Sequence, residues 1–198
     1  MDSETIWRHI DTERMELANV LESLPQAAWD TPSLCEGWRV RDVGAHLALS
    51  HARLRDMVRP AIRSGFRYNA MTRYAAICSP LTHEQIVATL RAFVGSRRRV
   101  SFVTELEPLL DILVHSQDIC MPLGIDHPMP VDAAVAAANR VLSIRGPMRL
   151  WERPQGLRLV ASDADWAYGV GEVREAPMQA HLLTLTGRQP PSRSTTAP

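Results

Sequence analysis

Apolar residues recur at helical spacing through most of the chain before about residue 145. Between Thr5 and Leu24, the residues Ile6, Ile10, Leu17, Val20, Leu21 and Leu24 fall roughly on one face, as in an amphipathic helix, and Pro25 ends it. A second helix is predicted from Val40. It has Val43, Leu47, Leu54 and Val58 on one side, Arg41, Arg53 and Arg55 mostly off it, and Pro60 to end it. The stretch from Arg63 to Pro80 carries no clear period. Thr82 opens a third helix, with Gln85 three residues on as in a capping box, and the pattern runs to about Val100. Pro108 suits a first helical turn, so PLLDILVHSQDI reads as a mostly buried fourth helix closed by Pro122 and Gly124. Val131 to Ile144 is an alanine-rich fifth helix stopped by Gly146 and Pro147.

The pattern then changes. GLRLVAS and DWAYGVG read as two short strands joined by an Asp-Ala-Asp turn. Ala176 to Thr186 reads as a helix ended by Gly187, and the polar, Pro-rich residues 189–198 as a frayed tail. The fold class is therefore mainly α: an antiparallel helical bundle over 1–150, a small αβ segment over 151–188, and a flexible tail over 189–198.

Composition narrows the function classes. With 45% hydrophobic residues among 198, the chain can bury a real core. Its 22 basic and 22 acidic side chains leave no basic excess, which argues against a nucleic-acid partner. The run Arg97, Arg98, Arg99 reads as the solvated end of the third helix. No apolar stretch approaches the roughly 20 residues of a membrane span. The charged N-terminus lacks a signal peptide's apolar core, so a cytoplasmic location is expected. Cys35, Cys78 and Cys120 are odd in number and unpaired by spacing; each reads as a free thiol used in packing.

The chemistry concentrates on two helices. Asp111 and His115 stand at i, i+4 on the fourth helix and project from one face among Leu, Ile and Val. A divalent cation would compensate a carboxylate and an imidazole there, and both are ordinary zinc ligands. A plain ion pair is the alternative. His46 lies on or beside the apolar stripe of the second helix and is the third candidate ligand. Three protein ligands leave a coordination position open, which marks a catalytic metal. Asp118, three residues after His115, either orients that imidazole by accepting its second N–H, or forms a salt bridge or helps close the helix end. His51 turns away from His46, and His9, His83, His127 and His181 show no ligand spacing. Trp38 reads as an apolar plug, with Gly37 permitting the turn before it.

The run CEGWRVRDVGAHLA resembles the metal-binding helix of the DinB-like superfamily. It is most similar to the mycothiol-dependent maleylpyruvate isomerase branch, whose Cys-x-Gly-Trp-x-Val-x-Asp-x-x-x-His pattern is complete here from Cys35 to His46. DILVHSQDI resembles the second motif of that family, and LRLVASDADWAYGVG with LLTLTGR its C-terminal part. The resemblance implies an up-down four-helix bundle with a metal, zinc above all, held by His46, Asp111 and His115. It also implies a low-molecular-weight thiol, mycothiol, as co-substrate. The isomerase branch commonly carries Glu where Asp111 stands.

The expected function is a metal-dependent thiol S-transferase acting on a small electrophile, the metal holding the thiol as thiolate. A mycothiol-dependent isomerase is the alternative within that chemistry, and a non-catalytic metal- or ligand-binding module the alternative outside it. By analogy with other members of the superfamily, a homodimer is expected.

Overall fold

The computed structural model describes residues 1–51, 60, 62–63, 65, 67–99, 104–144 and 154–188. The chain divides into two compact units, Met1–Pro128 and Met129–Pro198. None of the described helices is long and apolar enough to cross a membrane.

In the first unit, α1 (Ser3–Ser23) opens on Asp2, whose carboxylate accepts from the Thr5 N–H at 2.8 Å. That satisfies one of the free amides of the first turn. The helix buries Ile6, Trp7, Ile10, Leu17, Ala18 and Leu21, the face expected from their spacing. A 3-10 turn, Gln26–Asp30, follows and buries Trp29. Next come α2 (Val40–Ala48) and α3 (Tyr68–Ile77). Leu54 and Val58, with Arg53 and Arg55, lie outside the described residues.

Helix α4 (His83–Ala92) starts at the expected capping box. Thr82 accepts from the Gln85 N–H at 3.3 Å, and Gln85 accepts from the Thr82 N–H at 2.9 Å. It ends well short of residue 100, because Gly95 takes φ +80° and turns the chain out of the helix. The arginine run is therefore not a helix terminus. Arg97 instead pairs with Asp11 at 2.6 Å and lies over the Trp7 ring at 5.1 Å.

Helix α5 (Leu106–Cys120) is the most apolar of the first unit and buries Leu109, Leu110, Ile112, Leu113 and Val114. Helix α1 packs on α4 and α5, and α2 packs on the same two, closing a four-helix bundle. Its centre holds Ile10, Leu17, Leu21, Ile86, Leu90, Leu109 and Leu113, all essentially fully buried. Burial of each such side chain is worth about 1.5–3 kcal/mol.

The second unit begins with α6 (Val131–Ser143), which buries Ala133, Ala134, Ala137 and Ala138 and packs against α7 (Met178–Leu185). The sequence grouped α6 with the bundle in 1–150; here it falls within Met129–Pro198. Between the two helices lies a three-stranded sheet in the order β2-β1-β3, made of β1 (Leu157–Ala161), β2 (Ala167–Gly169) and β3 (Glu172–Ala176). Strands β1 and β2 are antiparallel, with Leu159 opposite Tyr168; β1 and β3 are parallel, with Leu159 opposite Arg174. The sequence predicted two strands and not β3, whose side chains are mostly exposed and so show no alternating apolar pattern.

Candidate metal centre

The loop before α2 is built to aim one histidine. Val40 N–H donates to Thr31 O at 2.9 Å, and Ser33 N–H to Trp38 O at 2.9 Å, so residues 31–40 fold back on themselves. Gly37 sits at φ +70° in this turn, a conformation that a side chain strains. Arg73 of α3 clamps the turn by donating to Glu36 O at 2.9 Å and Gly37 O at 3.3 Å. Buried Asp42 accepts from the Arg39 N–H at 3.0 Å and from the Arg39 guanidinium, which fixes the first turn of α2. Leu34 N–H donates to Asp118 O at 3.2 Å and ties the loop to α5. His46 follows one helical turn after Asp42.

These restraints bring His46 against Asp111 and His115. The Nε2 atoms of both histidines lie 3.4 Å from the same Asp111 Oδ1. The two imidazole rings are 4.9 Å apart and nearly perpendicular, and Trp38 packs edge-on against His46 at 5.6 Å. The side chains of His46, Asp111 and His115 are 21%, 36% and 13% exposed, so the cluster is partly buried and its carboxylate is the most accessible of the three. One donor atom from each of the three lies within 4.8 Å of the others.

Asp118 completes the arrangement. Its buried carboxylate meets His115 Nδ1 at 2.7 Å and accepts from the Cys35 thiol at 3.1 Å. A carboxylate at that distance holds the proton on Nδ1 and leaves the Nε2 lone pair for the cluster. The contact is the one that both the orienting and the salt-bridge expectations for Asp118 require. The contact with Cys35 was not foreseen, because a thiol and a carboxylate 83 positions apart carry no local signal.

The electrostatics say what belongs between these atoms. With Nδ1 protonated, a neutral His115 would turn a lone pair toward an ionised carboxylate oxygen, two acceptors face to face. A positive charge between them relieves that repulsion. Burial disfavours charge on His115, yet the hydrogen bonds with Asp111, Asp118 and Cys35 raise its pKa well above the ordinary value. Burial likewise disfavours charge on Asp111, but His46 and His115 outweigh it and hold the carboxyl far below the usual range. A divalent cation held by the same atoms would supply that charge. Two imidazole nitrogens and one carboxylate oxygen form a three-ligand donor set that fits zinc or a similar first-row ion.

The other candidate residues lie elsewhere. His51 packs on Phe93, His83 stacks on Trp29, and His181 meets Val160 O at 2.8 Å. His127 forms a buried pair with Glu13 at 2.9 Å, which the sequence reading missed because its partner is 114 positions away. Burial, helped by Glu13, pushes the Cys120 thiol up to about 12, in keeping with a packing role; Cys78 is exposed.

Residues 10–100 match the family model of the mycothiol maleylpyruvate isomerase N-terminal domain. That span contains the whole Cys35 to His46 run. Among solved structures, the mycothiol-dependent maleylpyruvate isomerase and a mutant of it share this fold. Each has a TM-score of 0.64 and 16% sequence identity; the alignments cover 96% of this chain and 91% and 90% of theirs. No curated protein sequence matches the chain significantly. The helical bundle with its small sheet therefore shares the fold of the mycothiol-dependent maleylpyruvate isomerase, and residues 10–100 are similar to the mycothiol maleylpyruvate isomerase N-terminal domain.

Proposed function

We propose that this chain is a metal-dependent enzyme that uses mycothiol to isomerise a small unsaturated substrate of the maleylpyruvate type, with His46, Asp111 and His115 as the metal ligands. The observation that carries the reading is the convergence of both Nε2 atoms on one Asp111 oxygen. The family match over residues 10–100 supports the thiol and the reaction class.

Bound there, a divalent cation supplies Lewis-acid chemistry that lowers a thiol's pKa, so that thiolate is present near neutral pH. The chain's own residues do the rest. Asp118 keeps the His115 proton on Nδ1 and so fixes which nitrogen faces the ion. Trp38 packs edge-on against His46 and holds its ring in place. Asp111, the most exposed of the three, marks the side from which thiol and substrate would approach.

In the isomerisation, the thiolate sulfur bonds to one alkene carbon and the π pair moves onto the conjugated carbonyl. The former double bond rotates. The pair on the carbonyl then returns to re-form the alkene in the other geometry while the C–S bonding pair leaves with sulfur, so thiolate is recovered without any oxidant. S-transfer to a small electrophile is the second reading. The same three ligands would form the thiolate, and none of them dictates elimination after addition.

Purified protein loaded with zinc is mixed with mycothiol and maleylpyruvate and followed for conversion to the trans isomer. Turnover that requires both thiol and metal supports the isomerase. Thiol consumption with a stable adduct supports transfer, and neither outcome would leave the enzymatic reading without support.

A further inference from the structure

A second cluster of metal-type donors lies away from the first and shares no residue with it. Glu13 and Glu16 stand at i, i+3 on α1 and therefore neighbour each other on one face. His127, beyond the end of α5, meets them there: one donor atom from each of the three lies within 4.8 Å of the others. The side chains of Glu13 and His127 are 2% and 5% exposed, and His127 Nε2 lies 2.9 Å from Glu13 Oε2. Gln117 holds the His127 backbone in place by donating to its carbonyl at 2.7 Å.

The second oxygen of the same carboxylate is the telling feature. Glu13 Oε1 is buried with no hydrogen-bond partner among the described residues. A buried carboxylate oxygen left without a donor or a cation is costly. The adjacent cation does not relieve it, because Arg14 directs its guanidinium to Phe93 O, Ser96 O and Asp11. Glu16 is exposed, so the cluster has a buried floor and one ligand on a free side chain.

We propose that Glu13, Glu16 and His127 form a second divalent-cation site, which takes a transition-metal ion such as zinc and pins the segment at His127 to α1. Two carboxylates and an imidazole are a donor set for such ions. An ion held at roughly 2.0–2.2 Å from each donor needs the donors closer together than their present outer limit. The exposed Glu16 side chain closes that gap by changing rotamer, while Glu13 and His127, 2.9 Å apart across a hydrogen bond, separate slightly to admit the ion in place of the shared proton. The site is structural in character, since it ties two distant parts of the bundle and has a buried floor.

The test is isothermal titration of the full chain with zinc alone. Wild type is expected to bind two ions, and a His46→Ala/Asp111→Ala/His115→Ala variant one. Adding Glu16→Gln to that variant is expected to weaken the remaining binding at least tenfold. It should also abolish the rise in melting temperature that zinc gives. Glu16 is exposed, so its replacement does not endanger folding; if the triple variant does not fold, wild type and Glu16→Gln are compared directly, two ions against one. The first site's failure is distinguishable: wild type would then bind one ion, lost with Glu16→Gln but kept with Asp111→Ala. No zinc binding beyond what Asp111→Ala removes, or binding unmoved by Glu16→Gln and His127→Gln alike, overturns the proposal.

Discussion

Replacing Asp118 with alanine leaves the proposed ligands in place but removes what orients one of them. Asp118 is fully buried, faces His115 Nδ1 at 2.7 Å and accepts from Cys35 at 3.1 Å. A hydrogen bond to a charged acceptor is worth about 1.5–3 kcal/mol, and most of that falls on the short imidazole contact. Loss of an outer carboxylate on a ligating histidine costs roughly 10–100-fold in metal affinity. At 1.4 kcal/mol per tenfold that is about 1.4–2.8 kcal/mol, which agrees with the hydrogen-bond figure. Asp118→Ala is therefore expected to weaken zinc binding at the first site by 10–100-fold. Asp118→Asn should fall between, because its amide oxygen still accepts from Nδ1 but without charge. Cys35→Ala should do much less, since a thiol is a weak donor. Competition with a chromophoric chelator gives the affinities, and urea melts establish that each variant is folded. A folded Asp118→Ala protein that holds zinc within about twofold of wild type would refute the orienting role.

Three further outcomes follow from the geometry. His51 packs on Phe93, and burial together with Arg14 and Arg98 lowers its pKa from 6.5 to about 4. The folded state thus binds fewer protons than the unfolded one between those values, so this stability is present above pH 6.5 and is lost as the pH falls toward 4. After discount for solvent screening at a partly exposed group, the loss is about 1–2 kcal/mol; denaturant melts of wild type and His51→Gln across pH 4–7 should converge at the acid end, and parallel curves would contradict it. Leu113→Ala opens a cavity at the bundle centre and should destabilise by about 2–5 kcal/mol in urea. Gly37→Ala places a Cβ at φ +70° and 2.7 Å from the Arg73 guanidinium, so a loss of about 1–3 kcal/mol is expected from denaturant melts.

Local chemistry was legible in the sequence and long-range chemistry was not. The Thr82 and Gln85 capping box, the apolar face of α1 and the shared face of Asp111 and His115 all follow from spacings of three or four residues. His46 could be placed only by its stripe and by the Cys35 to His46 run, because its partner Asp111 is 65 positions away. Cys35 read as a small hydrophobe, yet its thiol meets Asp118 through a loop whose path no periodicity encodes. The buried Glu13 and His127 pair was hidden for the same reason. Helix α4 ran too long in the sequence reading because Gly95 was given no weight as a stop, and β3 was missed because it buries almost nothing.

The most direct test of the account replaces the metal by cobalt and adds mycothiol. If His46, Asp111 and His115 hold an ion with a position open to thiol, wild type should develop a sulfur-to-cobalt charge-transfer band on addition of the thiol, and Asp111→Ala should not. A cobalt-loaded wild type whose spectrum does not respond to mycothiol, or an equal band in Asp111→Ala, would contradict it.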